Sequence, residues 1–495
     1  MNININDYLP NEAFSGSGNG TSYEDLQNLN KALDAGDITG RETTNLTTAS
    51  GAPLKVESLE KTLKLLTFQE QTIKLWKMIP KKAAFNTVEE FNQLSSYGAD
   101  RGGSLVEGEL PATEDSTYVR RAQLVKFYGV TKEVSHPMSL VNVQASVGNI
   151  IEREAKNGTL WVLRKINKAL TRGNEKIVPT EMNGLYAQHA NNDTFTTLDQ
   201  YFQSEVVVDL RGGILTETAI EQAAEAIVQN FGTPTHLVAP PKVLSKFVEN
   251  FYGNKFIVPN TPSLNAGVMG QNVQGFMSQY GEIKLEWDVF MNPDSGRTAG
   301  SAAQTTLAPA SIVPDVSTPI AIVPSDTSSL FTTADAGDYY YGVASLNRFG
   351  EGQLVLMSSA PATITTAQDA VNLKFAPGAG TAATGFRIYR TKKGGAATDV
   401  MYPIFEVGLS DLENGYDGSG AAYTVRDRAR FLPNTAEAFL IQQDSEVFEF
   451  AQLAPLMKMD LAIIAPAYRF MVLLYGTPLL YAPKKMVRFV NVGTI

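Results

Sequence analysis

Two stretches of the chain place apolar residues at the spacing of an amphipathic helix. In Val56–Ile79, leucine, isoleucine and tryptophan recur at helical intervals until Pro80 ends the pattern. This helix either packs on its own domain or is contributed to a neighbouring subunit. The second stretch, Ser146–Arg172, contains no proline, keeps its apolar residues on one stripe and is followed by Gly173. It predicts a helix about 40 Å long that could serve as the spine of a domain.

The segment between these two helices has the alternating pattern of β-strands. Strands are predicted at Phe85–Phe91 and Ser104–Glu109, and a return strand is predicted over Tyr118–Val134. The resulting two-stranded arm is long and charged, and it has few apolar residues with which to bury a core of its own. Projections of this kind usually contact another molecule, so the pattern indicates a protein built for assembly.

The charged residues of this arm are separated by sign. Acidic residues precede basic ones, which predicts one negative limb and one positive limb. Such polarity is either ordinary solvated surface or a means of head-to-tail contact with an identical neighbour. In the second case, the candidate inter-subunit contact residues are Glu107, Glu109, Glu114, Asp115, Arg120, Arg121 and Lys126.

Residues 205–292 alternate between helical and strand patterns. Helices are predicted at Leu215–Phe231 and Pro240–Phe251, and strands at His236–Ala239 and Gly281–Phe290. This mixed order indicates an α+β domain.

At Asn292 the apolar period disappears, and short strands separated by turn residues follow as far as about Pro433. Their spacing predicts an all-β sandwich inserted as a separate domain. Longer apolar strands return between Phe439 and Ile495, where the host domain is expected to resume. The predicted strands of the insertion are TPIAIV, DYYYGVASLN, DAVNLKFAP, GFRIYRTKKGG, YPIFEVG and AYTVRD.

Composition narrows the class of protein. A chain of 495 residues can bury at least two cores, and its net charge of −10 argues against a general nucleic-acid-binding surface. The absence of cysteine excludes disulfides and thiolate chemistry. The most apolar stretch, Leu461–Pro483, is interrupted by Arg469 and by prolines, which favours buried strands over a membrane-spanning helix.

The sequence offers little support for an enzyme or a metal site. It has three histidines without a metal-binding spacing, and it has no phosphate-binding or nucleophile-elbow motif. Asp411, Asp417 and Asp427 could bind calcium, but they lack an EF-hand spacing and are more simply read as exposed loop acids. No catalytic residue, cofactor or metal ligand is therefore predicted.

The order of these segments resembles the major capsid proteins of tailed bacteriophages, whose Hong Kong-type fold is shared with herpesvirus shells. MGQNVQGFMSQYGEIKLEWDVFMNP is similar to the axial-domain strands of that family, and AEAFLIQQDSEVFEFAQLAPLMKMDLA to its C-terminal return. The tyrosine strand beginning at Tyr339 and the segment GFRIYRTKKGG resemble a fibronectin type III or immunoglobulin-like domain, although the tyrosine strand comes earlier than in a standard repeat.

This resemblance implies an α+β phage capsid fold with an inserted immunoglobulin-like domain. The implied segments are an N-terminal arm (1–84), an extended loop (85–140), a spine helix and peripheral domain (141–204), an axial domain (205–293), the insertion (294–435) and a return to the axial and peripheral domains (436–495). Within the arm, the residues themselves predict a short helix over Ser22–Leu33, because Ser22–Asp25 has the pattern of a capping box.

The resemblance also implies a function and partners. The expected protein forms pentamers and hexamers of an icosahedral shell around double-stranded DNA, which it contacts weakly and without sequence preference. It is assembled in the host cytoplasm, with a portal protein, scaffolding and decoration proteins as partners and with no membrane or cofactor. Some family members join subunits through a loop lysine, but Ser104–Thr117 contains none, so no crosslink is expected.

Two other classes of protein remain as alternatives. A phage surface or tail adhesin could use the β-sandwich to bind carbohydrate, because a fold does not fix a function. An enzyme with an accessory β-domain is disfavoured by the missing motifs.

Overall fold

The computed structural model describes residues 67, 70–98, 103–111, 113–140, 149–189, 206–254, 275–409, 423–462 and 466–494. All of these residues belong to one compact unit. The helix predicted at Ser22–Leu33 lies outside the described residues, as do Asp411 and Asp417.

The helices of the described ranges include one that is much longer than the others. The α-helices are α1 (Leu75–Met78), α2 (His136–Leu140), α3 (Ile150–Arg172), α4 (Leu185–His189), α5 (Glu217–Gln229) and α6 (Pro241–Asn254). The 3-10 helices are Glu70–Thr72, Val289–Met291, Thr333–Asp335 and Pro483–Lys485. None of these helices combines the length and apolar character needed to cross a membrane.

Strands occur along most of the described chain. The first group is β1 (Lys81–Ala83), β2 (Val88–Ser96), β3 (Thr117–Leu124), β4 (Lys126–Ser135), β5 (Val207–Asp209), β6 (His236–Ala239), β7 (Gly275–Ser278) and β8 (Gly281–Trp287). The second is β9 (Val313–Pro314), β10 (Ile320–Val323), β11 (Gly337–Tyr339), β12 (Tyr341–Asn347), β13 (Gly350–Glu351), β14 (Val355–Leu356), β15 (Ala362–Ile364), β16 (Ala370–Ala376), β17 (Gly385–Arg390), β18 (Tyr402–Gly408) and β19 (Tyr423–Asp427). The last is β20 (Thr435–Ile441), β21 (Phe448–Asp460), β22 (Ala467–Leu480) and β23 (Met486–Gly493).

The predicted long helix is present as α3. Its N-cap is Asn149, whose Oδ1 accepts a hydrogen bond from the Ile151 amide at 3.0 Å. It ends at Gly173, where a side chain would meet the Met182 carbonyl oxygen at 2.3 Å. Its buried stripe, which includes Val162, Ile166 and Leu170, packs against the four-stranded sheet β1-β21-β22-β4. The first residues of the prediction, 146–148, lie outside the described ranges.

The continuous helix predicted over Val56–Ile79 is wrong in its described part. A 3-10 turn at Glu70–Thr72 is followed by the four-residue helix α1. Buried side chains from distant parts of the chain accept hydrogen bonds from the backbone amides at this point. Leu75 donates to Asp288 Oδ2 at 3.3 Å and Trp76 donates to Asn167 Oδ1 at 3.0 Å. Because these bonds satisfy the amides without an intrahelical carbonyl, an uninterrupted helix is not required at this point.

A second apolar core is formed by the six-stranded sheet β5-β23-β20-β6-β8-β7 together with helices α5 and α6. Helix α5 begins after Thr216, whose Oγ1 accepts a hydrogen bond from the Ala219 amide. Ile220, Ala223 and Ile227 of this helix belong to an apolar core shared with α6 and the sheet. The predicted α+β character of residues 205–292 is confirmed, with the last strand ending at Trp287 rather than Phe290.

The described residues of 313–427 form an all-β region, and the largest of its apolar clusters draws on both of its main sheets. One sheet contains β10-β16-β19, with β9 also paired to β16, and the other contains β13-β12-β17-β18, with β14 paired to β12. Tyr341, Val343, Phe375 and Phe386 are fully buried in this core. Each of the six sequence segments that were predicted as strands of this region contains a β-strand.

Candidate assembly surface

The predicted two-stranded arm is an antiparallel hairpin made of β2 and β3. We use the name hairpin arm for these two strands and the described residues between them, 97–98, 103–111 and 113–116. Its register pairs Val88 with Leu124 at one end and Ser96 with Thr117 at the other. The predicted return strand is two strands, because the chain changes sheet at Val125, whose amide donates to the Thr87 carbonyl at 2.8 Å. Beyond Val125, β4 joins the four-stranded sheet beside β22.

The base of the hairpin arm is fixed to the body of the subunit. The rings of Phe91 and Tyr481 pack edge to face with their centroids 4.9 Å apart. The Gln93 side chain donates a hydrogen bond to the Tyr481 carbonyl, and Gln123 accepts one from Asn183 at 3.1 Å. These contacts hold the root of the arm in place.

The strand predicted at Ser104–Glu109 is wrong, since this segment is a turn. The Glu109 amide donates to the Val106 carbonyl at 2.9 Å, and Glu109 Oε2 accepts from the Val106 amide at 3.0 Å. Gly108 supplies the positive φ of 89° that the turn requires. The acidic side chain thus closes the turn on itself instead of pairing with another strand.

The hairpin arm carries many exposed apolar side chains. A single exposed leucine needs no explanation, but a concentration of large apolar residues on one projection marks an interaction surface. Leu110 is 89% exposed and Tyr97 is 84% exposed. The exposed large apolar residues of the arm are Leu94, Tyr97, Leu105, Val106, Leu110, Tyr118 and Leu124.

The acidic candidate residues lie around the far end of the arm. Glu107 and Glu109 belong to the turn, and Glu114 and Asp115 lead into β3; all four are exposed. The charge separation therefore runs from an acidic tip to a basic strand, which differs from the predicted division between two limbs. The outgoing strand β2 itself contributes Glu90, which forms an ion pair with Arg120 of β3.

The basic candidates have partners within the subunit. Arg120 Nη2 lies 2.5 Å from Glu90 Oε2, and Arg121 Nε donates to Gln93 Oε1 at 2.5 Å. Lys126 is buried, with its Nζ 3.0 Å from Glu175 and donating to the Pro179 carbonyl at 2.8 Å. The inter-subunit role of Lys126 stays a prediction, whereas its contact within the chain anchors the root of the arm.

Phe231 is a further exposed residue that the sequence pattern did not single out. It is 93% exposed and follows α5 in the left-handed conformation, with φ of 61°. Glycine is usually found where a helix ends in this way, because a side chain is strained there. Since its ring is almost fully exposed and its backbone is strained, Phe231 is a candidate residue for contact with another molecule.

We expect Phe231→Asn to raise the free energy of unfolding by about 0.5–1 kcal/mol, since asparagine tolerates the left-handed conformation. Chemical denaturation of the unassembled subunit measures this change. Phe85→Asn is the matched control, because Phe85 is 92% exposed without a positive φ. An equal gain in both variants would show that backbone strain at Phe231 is not its source.

The end of α3 joins the all-β region through a cluster of charges. Asp294 lies 3.0 Å from Arg172, 3.1 Å from Lys168 and 3.4 Å from Arg387 of β17. Burial alone would raise the pKa of Asp294, but the two arginines outweigh it and lower the pKa to about 2. The all-β region is thus held to the last turn of the long helix.

Glu181, close to this cluster, should make stability depend on pH. Burial, and then repulsion by Glu406, raises its pKa to about 7 from an ordinary 4.5. The folded state therefore holds a proton that the unfolded chain releases between these values, so the free energy of unfolding falls as pH rises through this window. We expect Glu181→Gln to be nearly neutral at pH 4.5 and stabilising by about 1–3 kcal/mol at pH 8. Denaturant midpoints at both pH values test this expectation, with the exposed Glu225→Gln as control; a gain independent of pH would contradict it.

No three histidine, aspartate or glutamate side chains within the described ranges converge as a metal site requires. Asp427, considered above as a calcium ligand, lies 2.5 Å from the Arg390 guanidinium.

Comparison with known proteins places this chain among capsid proteins. A family model described as SU10 major capsid protein matches residues 38–307, more than half of the chain. The major capsid protein of Staphylococcus phage S25-3 is 26% identical over 463 residues, covering 92% of this chain and 94% of the relative. A putative major capsid protein of Enterococcus phage phiEF24C is 24% identical over 482 residues, covering 95% and 96%.

Solved structures with lower similarity also align over most of the chain. The capsid of Myoviridae phage XM1 has 9% sequence identity and a TM-score of 0.40, covering 90% of this chain and 99% of that one. The capsid of a native GTA particle has 9% identity and a TM-score of 0.43, covering 91% and 100%.

Proposed function

Because the chain belongs to the SU10 major capsid protein family, we propose that its hairpin arm lies on a neighbouring subunit in the icosahedral phage shell. The protein is a structural component of the virion capsid and not an enzyme. The observation that supports the proposed contact is the exposed apolar surface of an arm whose root is anchored to the body of the subunit. Burying such side chains between copies would stabilise assembly by the hydrophobic effect.

We propose that the subunits form pentamers and hexamers. A shell repeats each contact many times, so moderate interfaces together give a stable particle. The acidic tip of one arm and the basic β3 strand of another would add electrostatic complementarity to the apolar contact. The proposed roles of the segments keep the boundaries given above, including the N-terminal arm 1–84, which lies outside the described residues except near its end.

The remaining partners are proposed from family membership alone. They are a portal protein, scaffolding and decoration proteins, and packaged double-stranded DNA. The net charge of −10 favours only weak contact between this protein and DNA phosphates.

We also propose that residues 294–435 form an immunoglobulin-like domain on the shell surface. Such domains contain a tyrosine corner, in which a tyrosine hydroxyl bonds to the backbone a few residues upstream. Tyr339 Oη donates to the Asp335 carbonyl at 2.7 Å in this manner. The strand after this tyrosine, β12, pairs with β13, β14 and β17, all of which follow it in sequence. In the usual order the tyrosine strand also pairs with an earlier strand, so the strand order here would be a rearranged version of the usual one.

Electron microscopy of the purified chain, alone and expressed with its neighbouring phage genes, tests the assembly proposal. Closed shells or capsomer rings are expected, and persistent monomers in both preparations would oppose the assembly proposal.

A deletion variant tests the role of the insertion. It would replace residues 295–433 by a short glycine-serine linker, since Asp294 and Asn434 line the same cavity. Shells that close but lack surface density would support a peripheral role for the insertion, and failure to close would contradict it.

A further inference from the structure

The four-stranded sheet β1-β21-β22-β4 has two faces, and α3 covers one of them. Tyr128 and Val130 of β4, together with Val472 and Leu474 of β22, pack in the apolar core that α3 shares with this sheet. Successive side chains of a strand point to opposite faces. The residues that alternate with these four therefore lie on the other side of the sheet.

This second side carries large apolar side chains. Phe127 and Tyr475 are paired across β4 and β22, and their rings pack edge to face with centroids 4.8 Å apart. The Leu473 side chain lies over Gly129, where a β-carbon would be 2.4 Å from Leu473 Cδ2. We use the name outer face for six residues that the strand register places on this side: Phe127, Met457, Met459, Met471, Leu473 and Tyr475.

The outer face is apolar and open to solvent in the described structure. Phe127 is 60% exposed and Met459 is 45% exposed. The charged residues at its border, Glu133 and Arg469, form an ion pair of 2.9 Å with each other. A grouped apolar surface marks an interaction site, and methionine side chains adapt to the shape of a partner. The partner is therefore expected to present apolar side chains rather than charge.

The subunit's own hairpin arm covers the adjoining part of this side of the sheet. Phe91 of β2 packs in a small apolar cluster with Leu479, which lies four residues beyond Tyr475 on β22 and so on the same side. The acidic tip of a neighbour's arm suits the outer face poorly, because Arg469 at its border is already paired with Glu133.

The Val56–Leu66 segment, which lies outside the described residues, has an apolar stripe that fits this surface. Val56, Leu59, Leu63 and Leu66 recur at helical spacing, with charged residues between them. A helix of this length would be about 16 Å long and about 10 Å wide. The outer face extends about 15 Å along β22 and about 10 Å across its three strands. The segment and the surface therefore match in size as well as in apolar character.

The route of the chain favours a neighbouring copy as the source of this segment. Ile73 and Trp76 are buried in the core on the α3 side of the sheet, where the Trp76 amide donates to Asn167 Oδ1 of α3 at 3.0 Å. Residues 67–72 alone separate the segment from Ile73, and Glu70–Thr72 is a compact 3-10 turn. The same subunit's segment would have to pass to the opposite side of the sheet within this short stretch.

We propose that the Val56–Leu66 segment of one subunit lies on the outer face of a neighbouring subunit as an amphipathic helix. This inference rests on the proposed assembly into a shell, and it adds a contact that does not involve the hairpin arm. Packing the leucines against the three methionines removes apolar surface of both partners from water, which stabilises the contact through the hydrophobic effect.

Cross-linking between introduced cysteines tests this proposal, because the chain contains no cysteine of its own. Chains carrying Leu63→Cys and chains carrying Thr131→Cys are co-expressed, and the assembled particles are treated with a short bis-maleimide. Thr131 is exposed and pairs with Met471, so its replacement reports on the outer face without removing an apolar side chain. A covalent dimer is expected on a denaturing gel. Particles assembled from each chain alone give the background of cross-links between like chains.

The matched control is Lys61→Cys in place of Leu63→Cys. We expect at least about fivefold more dimer with L63C than with K61C, since the two positions are about 200° apart around a helix. Equal amounts of dimer from the two would overturn the proposal, as would a link from Thr131→Cys to Leu110→Cys of the hairpin arm in place of Leu63→Cys. A cross-link confined within single chains of L63C/T131C would overturn the assignment to a neighbour. Failure of the unaltered chain to form particles would contradict shell assembly itself, and this contact with it.

Discussion

Replacing Arg120 and Arg121 by glutamate should leave the subunit folded and strongly reduce the yield of closed shells. Both residues lie on the basic strand of the hairpin arm, and the side chain of Arg120 is 71% exposed. Exposed ion pairs contribute only about 0–1 kcal/mol, so losing the Arg120–Glu90 pair can destabilise the subunit only slightly. A shell repeats the altered contact in every subunit, so the same change should reduce the yield of particles by about tenfold or more.

A charge swap separates the contact between subunits from the contact within the arm. In E90R/R120E the internal pair is retained in reversed order, while the charges offered to a neighbour are exchanged. If Arg120 acts between subunits, the swapped variant should assemble as poorly as R120E. If Arg120 only maintains the hairpin, the swap should restore assembly, and this result would contradict the proposed contact.

The measurement is the fraction of protein in closed particles, obtained by sedimentation and electron microscopy under conditions in which the unaltered chain assembles. Circular dichroism of the unassembled variants confirms that they are folded. Normal particles from R120E/R121E would count against the hairpin arm as the site of contact.

Much of the fold could be predicted because its elements have strong local patterns. Helix α3 has an uninterrupted apolar stripe and a glycine at its end, and the all-β strands have short alternating runs with turn residues between them. The apolar pattern indicates one continuous helix over Val56–Ile79, and its interruption could not be predicted from the sequence. It depends on Asp288 and Asn167, which are distant in sequence and bond to backbone amides only after folding.

The candidate assembly surface was predictable in position but not in detail. Sequence indicated a charged projection, yet it could not show that Lys126 is buried against Pro179 or that the Ser104–Glu109 segment is a turn. The sequence pattern did not identify Phe231 as a candidate contact residue either, because that choice depends on its left-handed backbone and its exposed ring. Exposure and backbone conformation result from tertiary structure, which a one-dimensional pattern does not contain.

Asp427→Asn should destabilise the all-β region by about 3–5 kcal/mol, the typical cost of removing one partner from a buried ion pair. Asp427 and Arg390 are each 1% exposed and lie 2.5 Å apart. Asp427 also accepts hydrogen bonds from Tyr341 Oη and the Ala429 amide, each at 2.9 Å. Burial opposes the charge of Arg390, but Asp427 more than compensates and the pKa of Arg390 is raised. Asparagine keeps the shape of the site and removes this compensation.

Hydrogen exchange followed by mass spectrometry can locate this effect. Peptides from β12, β16 and β17 should lose protection in D427N, while peptides from β4 and β22 should keep it, because these strands belong to a separate sheet and core. The matched control is D399N, at an exposed aspartate of the same region that accepts a hydrogen bond from the Ala396 amide. The triple variant Y341F/R390M/D427L should cost less than D427N alone, since replacing the whole polar group by apolar residues leaves no unpaired charge. Equal loss of protection in all peptides would show that the all-β region does not unfold independently of its host.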